Sequence, residues 1–241
     1  MVAFVGIDSL FLVALVLAPV FSIATTGLSA ATVQERLDQH GPAVRNRLEP
    51  YFANAGVSYP PSQLTLVGLK HESRLLVYAA EAHGPHRFIR AYPILAASGG
   101  LGPKLRQGDR QVPEGIYRVE LLNANSRYHL GLRLNYPNVF DRRMASADGR
   151  TNPGGDIMIH GNSVSIGCLA MGDAAAEDLF VLAADTGLPR IQVILAPVDL
   201  RSQELQVPAT VPAWVSDLYR QIKDALEPLP VPGPLLGGRS R

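Results

Sequence analysis

The distribution of hydrophobic residues divides the chain into a long apolar start and a later region of short apolar runs. Leu10 to Ala24 is dominated by Leu, Val, Ala and Phe, and a smaller apolar patch covers Val2 to Ile7. From Tyr59 onward, short runs rich in β-branched and aromatic residues are separated by Gly, Pro and Asn, which is typical of strands joined by tight connections. The predicted strands are Leu64–Leu69, Arg74–Ala80, Arg87–Ala97, Gly115–Leu122, Asp156–His160 and Arg190–Leu195.

A helix is predicted between the apolar start and the first strand, from Thr32 to Tyr51. Thr32 can cap its first turn, and Glu35 stands three residues later, which is the spacing of a capping box. Gly41 and Pro42 are expected to split or end this helix, because proline has no N–H to donate and its ring clashes with the preceding turn.

Two further helices are predicted in the C-terminal half. One begins at Asp173, which we expect to cap it, and ends at Gly187. The other runs from Ala213 to Leu226, where Trp214 and Tyr219 are expected to pack the helix onto the rest of the protein. The simplest organisation is one mostly β domain between helical flanks.

The apolar start predicts export. A signal peptide has an apolar stretch followed by small residues at its cleavage site, and Ser29-Ala30-Ala31 fits that position. An uncleaved membrane anchor is the alternative, because the two apolar patches together approach the roughly 20 residues of a spanning helix. Both interpretations place the remainder outside the cytoplasm, in the periplasm or cell envelope. The predicted organisation is a signal peptide or anchor at 1–31, a helical segment at 32–63, a β-rich domain at 64–197, and a C-terminal helix with a Pro/Gly-rich tail at 198–241.

The composition predicts a globular protein and argues against a nucleic-acid partner. Of the 241 residues, 47% are hydrophobic and 18% are charged, which suffices for a sizeable core. The 22 Lys and Arg residues nearly balance the 21 Asp and Glu residues. The chain therefore lacks the excess positive charge of proteins that neutralise many phosphates.

Cys168 is the single cysteine of the chain. It cannot form an internal disulfide, so in an exported protein it is either a buried apolar residue or a thiol retained for chemistry. His160 ends a predicted strand eight positions earlier, and the loop between them is rich in Gly and Ser. An imidazole can take the proton of a thiol or stabilise the thiolate, which is the attacking species. This pattern favours a nucleophilic cysteine with His160 as its base.

Two other interpretations of this stretch stay open. A cysteine among Ile, Leu and Ala is frequently a core residue, and a single histidine at a strand end is frequently structural. A metal site made of His160, Cys168 and Asp156 is the other alternative. It is disfavoured because the chain has neither a CxxC nor an HxxxH pair to supply the usual ligands.

Gly167 and Ser165 have candidate roles beside the cysteine. Because Gly167 has no side chain, a substrate carbonyl can approach the backbone there, and an N–H of Cys168 or a neighbour can stabilise the oxyanion. Ser165 can orient the imidazole or donate a hydrogen bond to the substrate. A backbone carbonyl can equally fix the tautomer of the histidine.

The order His160-Gly161 followed by Ser165-x-Gly167-Cys168 resembles the signature of the L,D-transpeptidase catalytic domain, also called the YkuD domain. The short spacing and the continuation Leu169-Ala170-Met171-x-Asp173 are similar to the YafK-like branch of that family. The resemblance covers about half the chain, roughly Leu64 to Pro197. Its upstream blocks are Tyr92-Pro93-Ile94 through Ser98-Gly99, Leu101-Gly102-Pro103-Lys104, Gly108-Asp109, Pro113-Glu114-Gly115-Ile116-Tyr117 and Asn135-Tyr136-Pro137-Asn138.

The resemblance implies a mainly β fold with flanking helices, a β-sandwich-like catalytic domain in which Cys168 is the nucleophile and His160 the general base. In the family, the thiolate attacks the carbonyl between meso-diaminopimelate and D-alanine of a peptidoglycan stem peptide and forms a thioester. An amine of another stem peptide or of a wall-attached lipoprotein then resolves the thioester, or water hydrolyses it. The family needs no cofactor or metal, and carbapenems acylate the same cysteine.

The sequence departs from the commonest family pattern at two points. Most members have a longer insertion between the histidine and the cysteine, and an arginine at the position of Ala170. Without that guanidinium, a bidentate partner for a substrate carboxylate is missing. Substrate contacts are expected instead from the loop before the histidine strand and from the turn after it. The candidates are Arg142, Arg143, Arg150, Tyr136, Gly161 and Asn162.

Three functions are consistent with the sequence. The first is a transpeptidase that transfers a stem peptide from Cys168 to an amine. The second is a hydrolase of the same fold, either an L,D-carboxypeptidase or an amidase that removes cross-links or an attached lipoprotein. The third is a wall-binding module that keeps the fold without catalysis.

Overall fold

The computed structural model of the protein describes residues 1–3, 30–206 and 211–233. Contacts divide the chain into two units, residues 1–30 and 31–241, and every element described below belongs to the second. Residues 4–29, which make up most of the predicted signal peptide or anchor, lie outside the described residues. None of the described helices is long and apolar enough to cross a membrane.

Four α-helices and nine strands are found in the described part of the second unit. The helices are α1 (Val33–Ala55), α2 (Val139–Ala147), α3 (Asp173–Thr186) and α4 (Val215–Leu226), and a short 3₁₀ helix covers Leu188–Arg190. The strands are β1 (Gln63–Leu69), β2 (Arg74–Ala80), β3 (Arg87–Pro93), β4 (Ala96–Ala97), β5 (Gly115–Ser126), β6 (His129–Leu134), β7 (Met158–His160), β8 (Leu169–Ala170) and β9 (Ile191–Ala196).

The described strands form one mixed sheet in the order β3-β2-β1-β9-β5-β6-β7-β8-β4. The long strand β5 joins its two halves, because residues 115–118 pair with β9 and the rest of the strand pairs with β6. The pairs β1–β9 and β7–β8 are parallel, and the others are antiparallel. The parallel β7–β8 pair brings the segments before and after the polar loop side by side.

Hydrophobic cores lie on both faces of the half-sheet formed by β1, β2 and β9. Side chains alternate between the faces, so on β1 Leu64 and Leu66 enter one core while Val67 and Leu69 enter the other. Helices α1 and α3 and strands β6 to β8 complete the first core, and α4 completes the second. The predicted class, mainly β with flanking helices, is confirmed.

Helix α1 continues through Gly41 and Pro42, so the predicted break there is wrong. Val44, Leu48 and Phe52 recur every four residues and are buried in the first core. Each buried side chain of this kind contributes about 1.5–3 kcal/mol. Together they exceed the roughly 3 kcal/mol that a proline inside a helix costs, and the helix therefore continues.

The predicted helix caps have different outcomes. The capping box of α1 is confirmed, because Thr32 Oγ1 accepts from the N–H of Glu35 and the Glu35 carboxylate accepts from the N–H of Thr32. The cap predicted at Asp173 is wrong, since α3 begins there and Gly172 is its N-cap. The carboxylate of Asp173 instead accepts from the N–H of Asn162 at 2.7 Å, which ties α3 to the turn after β7.

The strand predicted at Arg87–Ala97 is two strands in different parts of the sheet. β3 ends at Pro93, which has no N–H for the ladder, and β4 pairs with β8 at the opposite edge. The strand predicted to begin at Asp156 begins at Met158, because Asp156 has a left-handed φ of 60°. β5 is longer than predicted and extends to Ser126.

Strands β6 and β8 and helix α2 are absent from the predicted elements. Arg142 and Arg143 were expected on a loop, and they lie on α2 instead. This helix has its own capping box, in which Asn138 and Asp141 each accept from the N–H of the other. β8 has two residues, which is too short for a periodic sequence pattern.

Helix α4 is attached through the residues predicted to anchor it. Trp214 Nε1 donates to Asp148 at 3.0 Å, and the Tyr219 hydroxyl donates to Glu114 Oε2 at 2.7 Å. The Glu114 side chain is fully buried, and its Oε1 lies 3.0 Å from Lys70 Nζ. The Tyr219 hydroxyl thus joins α4 to a buried ion pair between the residues that follow β1 and precede β5.

We expect Glu114→Ala to lower the free energy of unfolding by about 3–5 kcal/mol, because it leaves the Lys70 ammonium buried without its partner. Glu120→Ala is the matched control, since Glu120 and its partner Arg133 are both about 40% exposed (44% and 40%), and a pair of this kind contributes about 1 kcal/mol or less. Urea denaturation of both variants measures the difference. Equal losses of unfolding free energy in the two variants would contradict a larger contribution from the buried Lys70–Glu114 pair.

Candidate active site

The pairing of β7 with β8 puts His160 and Cys168 on the same face of the sheet. Ile159 is opposite Leu169 and His160 is opposite Ala170 in the parallel register. Ile159 and Leu169 both point into the first core. Because side chains alternate along a strand, His160 and the residue just before β8, Cys168, lie on the other face of this pair.

His160 is held in one orientation by the residue that follows it. Its Nδ1 lies 2.6 Å from the carbonyl oxygen of Gly161, and a carbonyl can only accept, so Nδ1 carries the proton. Nε2 is buried and has no hydrogen-bond partner among the described residues. The ring of Tyr128 stacks on the imidazole with 4.8 Å between the centroids. Burial lowers the pKa of His160, which keeps a lone pair free on Nε2.

Cys168 is a free, partly exposed thiol. Its sulfur accepts from the N–H of Met158 at 3.4 Å and lies 3.8 Å from the carbonyl oxygen of Asp156. Burial raises the pKa of the Cys168 thiol, and the Met158 N–H and the charge of Lys104 offset part of this rise. The resting cysteine is therefore protonated at neutral pH, and a base must remove its proton when it attacks.

Ser165 and Gly167 shape the turn that carries the cysteine. Ser165 Oγ accepts from the N–H of Cys168 at 3.0 Å and donates to the carbonyl of Cys168 at 2.5 Å. These contacts are with the backbone of Cys168, and none of the described hydrogen bonds of Ser165 reaches the imidazole. The N–H of Gly167 donates to Ser98 Oγ at 2.5 Å. Both N–H groups considered for an oxyanion hole therefore have hydroxyl partners in this conformation.

Gly161 has a structural role in the turn after His160. A Cβ at this position would lie 2.6 Å from Asp173 Oδ1, 2.8 Å from the carbonyl oxygen of Tyr128 and 2.9 Å from His129 Cβ. These contacts leave no space for a side chain. Gly161 was expected to contact substrate, and the structure shows that it positions His160.

Two other candidate substrate contacts bind the protein itself. Tyr136 is buried, and its hydroxyl donates to the carbonyls of Lys104 and Pro153. Asn162 is exposed, and its side-chain oxygen accepts from the N–H of Ser163 at 2.6 Å. The described contacts of Tyr136 involve neither Cys168 nor His160, because the residue belongs to the core.

Two of the three arginines expected to bind a substrate carboxylate already have partners in the protein. Arg142 donates to the carbonyl of Pro137. Arg150 forms an ion pair with Asp148 at 2.8 Å and donates to a backbone carbonyl. Arg143 is exposed on α2. None of the described contacts of these arginines joins them to the His160–Cys168 pair.

An apolar rim flanks the cysteine. We use this name for Leu95, Val164 and Ile166, whose side chains are 52–73% exposed. Val164 and Ile166 lie in the loop between His160 and Cys168, and the Leu95 N–H donates to the carbonyl of Ala170. Exposed apolar groups close to a reactive centre are typical of a surface that contacts a ligand.

Sequence reasoning missed Tyr128 and Ser98, which contact His160 and Gly167. Ser98 lies in a block that resembles the family, but an isolated serine gives no signal of its partner. Tyr128 precedes a strand that the pattern does not predict. The assembled group has a protonated thiol and an imidazole with a free lone pair, which suits nucleophilic attack assisted by a general base.

Comparison with known proteins identifies related sequences. The profile of the family described as the L,D-transpeptidase catalytic domain (YkuD) matches residues 70–194. YafK of Escherichia coli strain K12, whose own assignment as an L,D-transpeptidase is provisional, is 37% identical over 131 residues, which are 52% of this chain and 51% of YafK. The chain thus spans about half the length of the curated relatives it matches.

Solved structures with a similar fold have lower identity. The helical cell shape determining protein Pgp2 of Campylobacter jejuni is 22% identical, with 61% of this chain and 50% of Pgp2 covered and a TM-score of 0.46. Bd1075 of Bdellovibrio bacteriovorus is also 22% identical, with 70% and 56% covered and a TM-score of 0.43.

We expect Cys168 to react slowly with iodoacetamide at pH 7, because burial raises its pKa and little thiolate is present. The rate should rise about tenfold per pH unit between pH 7 and 8.5, as it does for a thiol below its pKa. Intact mass measures the reaction, since Cys168 is the single cysteine, and N-acetylcysteine is the control. A rate that is already constant at pH 6 to 7 would show a preformed thiolate.

Proposed function

The chain belongs to the L,D-transpeptidase catalytic domain family, and from this premise we propose that it is a cysteine acyltransferase acting on peptidoglycan stem peptides. Cys168 is the nucleophile, and His160 is its general base. The transferred acyl group goes to an amine of another stem peptide or of a wall-attached lipoprotein. No cofactor takes part in this chemistry.

The orientation of His160 is the observation that carries this proposal. The Gly161 carbonyl holds Nδ1–H, and the buried Nε2 has a free lone pair on the sheet face that it shares with Cys168. A structural histidine in a core usually has both nitrogens satisfied. An unpartnered Nε2 on the same sheet face as a protonated thiol supports a base that accepts the thiol proton when a substrate binds.

The chemistry then follows in two steps. As the Cys168 sulfur bonds to the carbonyl carbon, its proton moves to His160 Nε2. The imidazolium returns that proton to the leaving amine of D-alanine when the C–N bond breaks, and a thioester remains. An acceptor amine attacks the thioester, gives a proton to His160 and forms a new amide, and the Cys168 sulfur leaves and takes the proton back.

The oxyanion site involves Gly167. Its N–H donates to Ser98 in the resting conformation, and a substrate oxygen that displaces the Ser98 hydroxyl receives this donor. One donor of this kind contributes typically about 3 kcal/mol to the transition state. The N–H of Cys168 remains bound to Ser165, which keeps the turn closed.

Hydrolysis is the second candidate, and the partial exposure of Cys168 favours it. If water reaches the thioester before an amine does, the same steps make an L,D-carboxypeptidase or an amidase. Both reactions use a substrate outside the cytoplasm. Export to the periplasm or cell envelope, which the apolar start of the sequence predicts, is part of the proposal.

We expect a carbapenem to add once to the purified protein, because the carbonyl of its strained ring acylates the nucleophile. Intact mass should show the adduct on the wild type and none on Cys168→Ala. His160→Ala should lower the acylation rate at least a hundredfold, within the usual range for loss of a general base. A folded wild-type protein without any adduct would instead support a non-catalytic wall-binding module.

Muropeptide analysis of isolated sacculi after incubation with the protein tests the fate of the thioester. New dimers, or exchange of terminal D-amino acids, are expected for transfer. Shortened or released stem peptides without new linkages would show hydrolysis and would overturn the proposed transfer. Cys168→Ala is the control in both cases and should leave the sacculi unchanged.

The pH dependence of acylation should reflect the lowered pKa of His160. Because burial disfavours the imidazolium, the base stays neutral below the ordinary imidazole pKa of about 6.5. As the pH is lowered, the acylation rate should therefore stay constant until about pH 6.5 and fall below it. The rate is measured as carbapenem adduct formed per minute. A fall centred above that pH would contradict the assignment of a buried neutral His160.

A further inference from the structure

A second group of side chains with chemical potential lies beside the active site. His40 on α1, His129 at the start of β6 and Glu177 on α3 have their ligand atoms within 4.8 Å of one another. His129 Nε2 is 3.0 Å and His40 Nδ1 is 3.3 Å from the same oxygen, Glu177 Oε1. We propose that this cluster, the His40–His129–Glu177 site, binds one divalent transition-metal ion with a preference for Zn²⁺.

The ligand set and its spacing fit this class of ion. Imidazole nitrogen favours zinc and its neighbours, whereas magnesium and calcium prefer oxygen ligands. Tetrahedral zinc with bonds of about 2.1 Å separates its ligand atoms by about 3.4 Å, and the two measured separations are 3.0 and 3.3 Å. Three protein ligands leave a fourth position for water.

Hydrogen bonds within the protein do not satisfy all the donor and acceptor atoms of the His40–His129–Glu177 site. One carboxylate oxygen, Glu177 Oε1, faces both imidazoles, through His129 Nε2 and His40 Nδ1. The second oxygen of Glu177 lies 3.9 Å from Arg47. The side chains of His40 and Glu177 are only 12% and 23% exposed, so the site is defined by packed elements.

The backbone of His129 adds a second indication. Its φ of 71° lies in the left-handed region, which residues with a side chain seldom adopt. The imidazole of His129 contacts Glu177 on α3 and His40 on α1. Strained backbone of this kind is common where a side chain is held for a ligand.

The site lies against the active-site turn. His129 Cβ and the carbonyl of Tyr128 are two of the atoms that exclude a side chain at Gly161, and the Tyr128 ring stacks on His160. A bound ion would fasten the turn at residues 128–129 to α1 and α3, and through it the surface on which His160 rests. The proposed metal binding is independent of the proposed function. Only the expected effect of the ion on His160 rests on that function.

Equilibrium dialysis of the full chain against Zn²⁺, followed by elemental analysis, tests the proposal. The wild type should hold one ion per chain, and the ion should raise its melting temperature. Glu177→Gln, which preserves shape and removes the charge, and His129→Ala should each weaken binding at least tenfold and abolish the thermal shift. Mg²⁺ and Ca²⁺ should give neither effect. His83→Ala, at an exposed histidine outside the cluster, is the matched control and should bind as the wild type does.

Cys168→Ala separates this site from zinc bound at the catalytic cysteine. It should retain the ion and the thermal shift, so that metal binding and acyl transfer succeed or fail independently. Hydrogen exchange should show slower exchange of the Leu130 amide with Zn²⁺ in the wild type and no change in Glu177→Gln. The proposal is overturned if folded Glu177→Gln and His129→Ala bind Zn²⁺ as the wild type does, or if binding is lost in Cys168→Ala.

Discussion

The hydrogen bond from His160 Nδ1 to the carbonyl of Gly161 fixes the imidazole, and it forms where the backbone turns at a residue without a side chain. Asp173 and the turn at residues 128–129 fill the space that a Cβ at Gly161 would need. The orientation of the base therefore depends on three elements at once: the end of β7, the first turn of α3 and the β5–β6 connection. A shift in any of them would change the orientation of the His160 imidazole.

The sheet supplies the rigidity that this turn requires. β5 belongs to both halves of the sheet, so the strands under the active site are continuous with the half that carries two packed cores. Helices α1 and α3 are joined by ion pairs, including Arg45 with Asp185 and Arg47 with the buried Asp178. These contacts hold α3 in place, and α3 holds Asp173 against the His160 turn. The proposed metal site would add a further link between the same elements.

The surface beside Cys168 differs from that expected for family members with an arginine after the cysteine. Ala170 is buried, and Arg142 and Arg150 bind protein groups. What faces solvent beside Cys168 is the apolar rim, to which Val164 and Ile166 contribute. Apolar contact gives affinity without selecting a carboxylate. In the proposed mechanism, the structure therefore defines the nucleophile more closely than it defines the acceptor.

The sequence alone predicted the mainly β class and the family, because strand periodicity and a short motif are local properties, and the same motif led to the proposal that His160 and Cys168 act together. It did not predict the continuity of α1 through Pro42, since burial of distant side chains in a shared core outweighs a local helix breaker. It also could not assign Ser165 to the backbone of Cys168 or bring His40 near Glu177, which are 137 positions apart. Those relations depend on how strands and helices pack, and only the tertiary structure decides which side chains already have partners and which remain free to react.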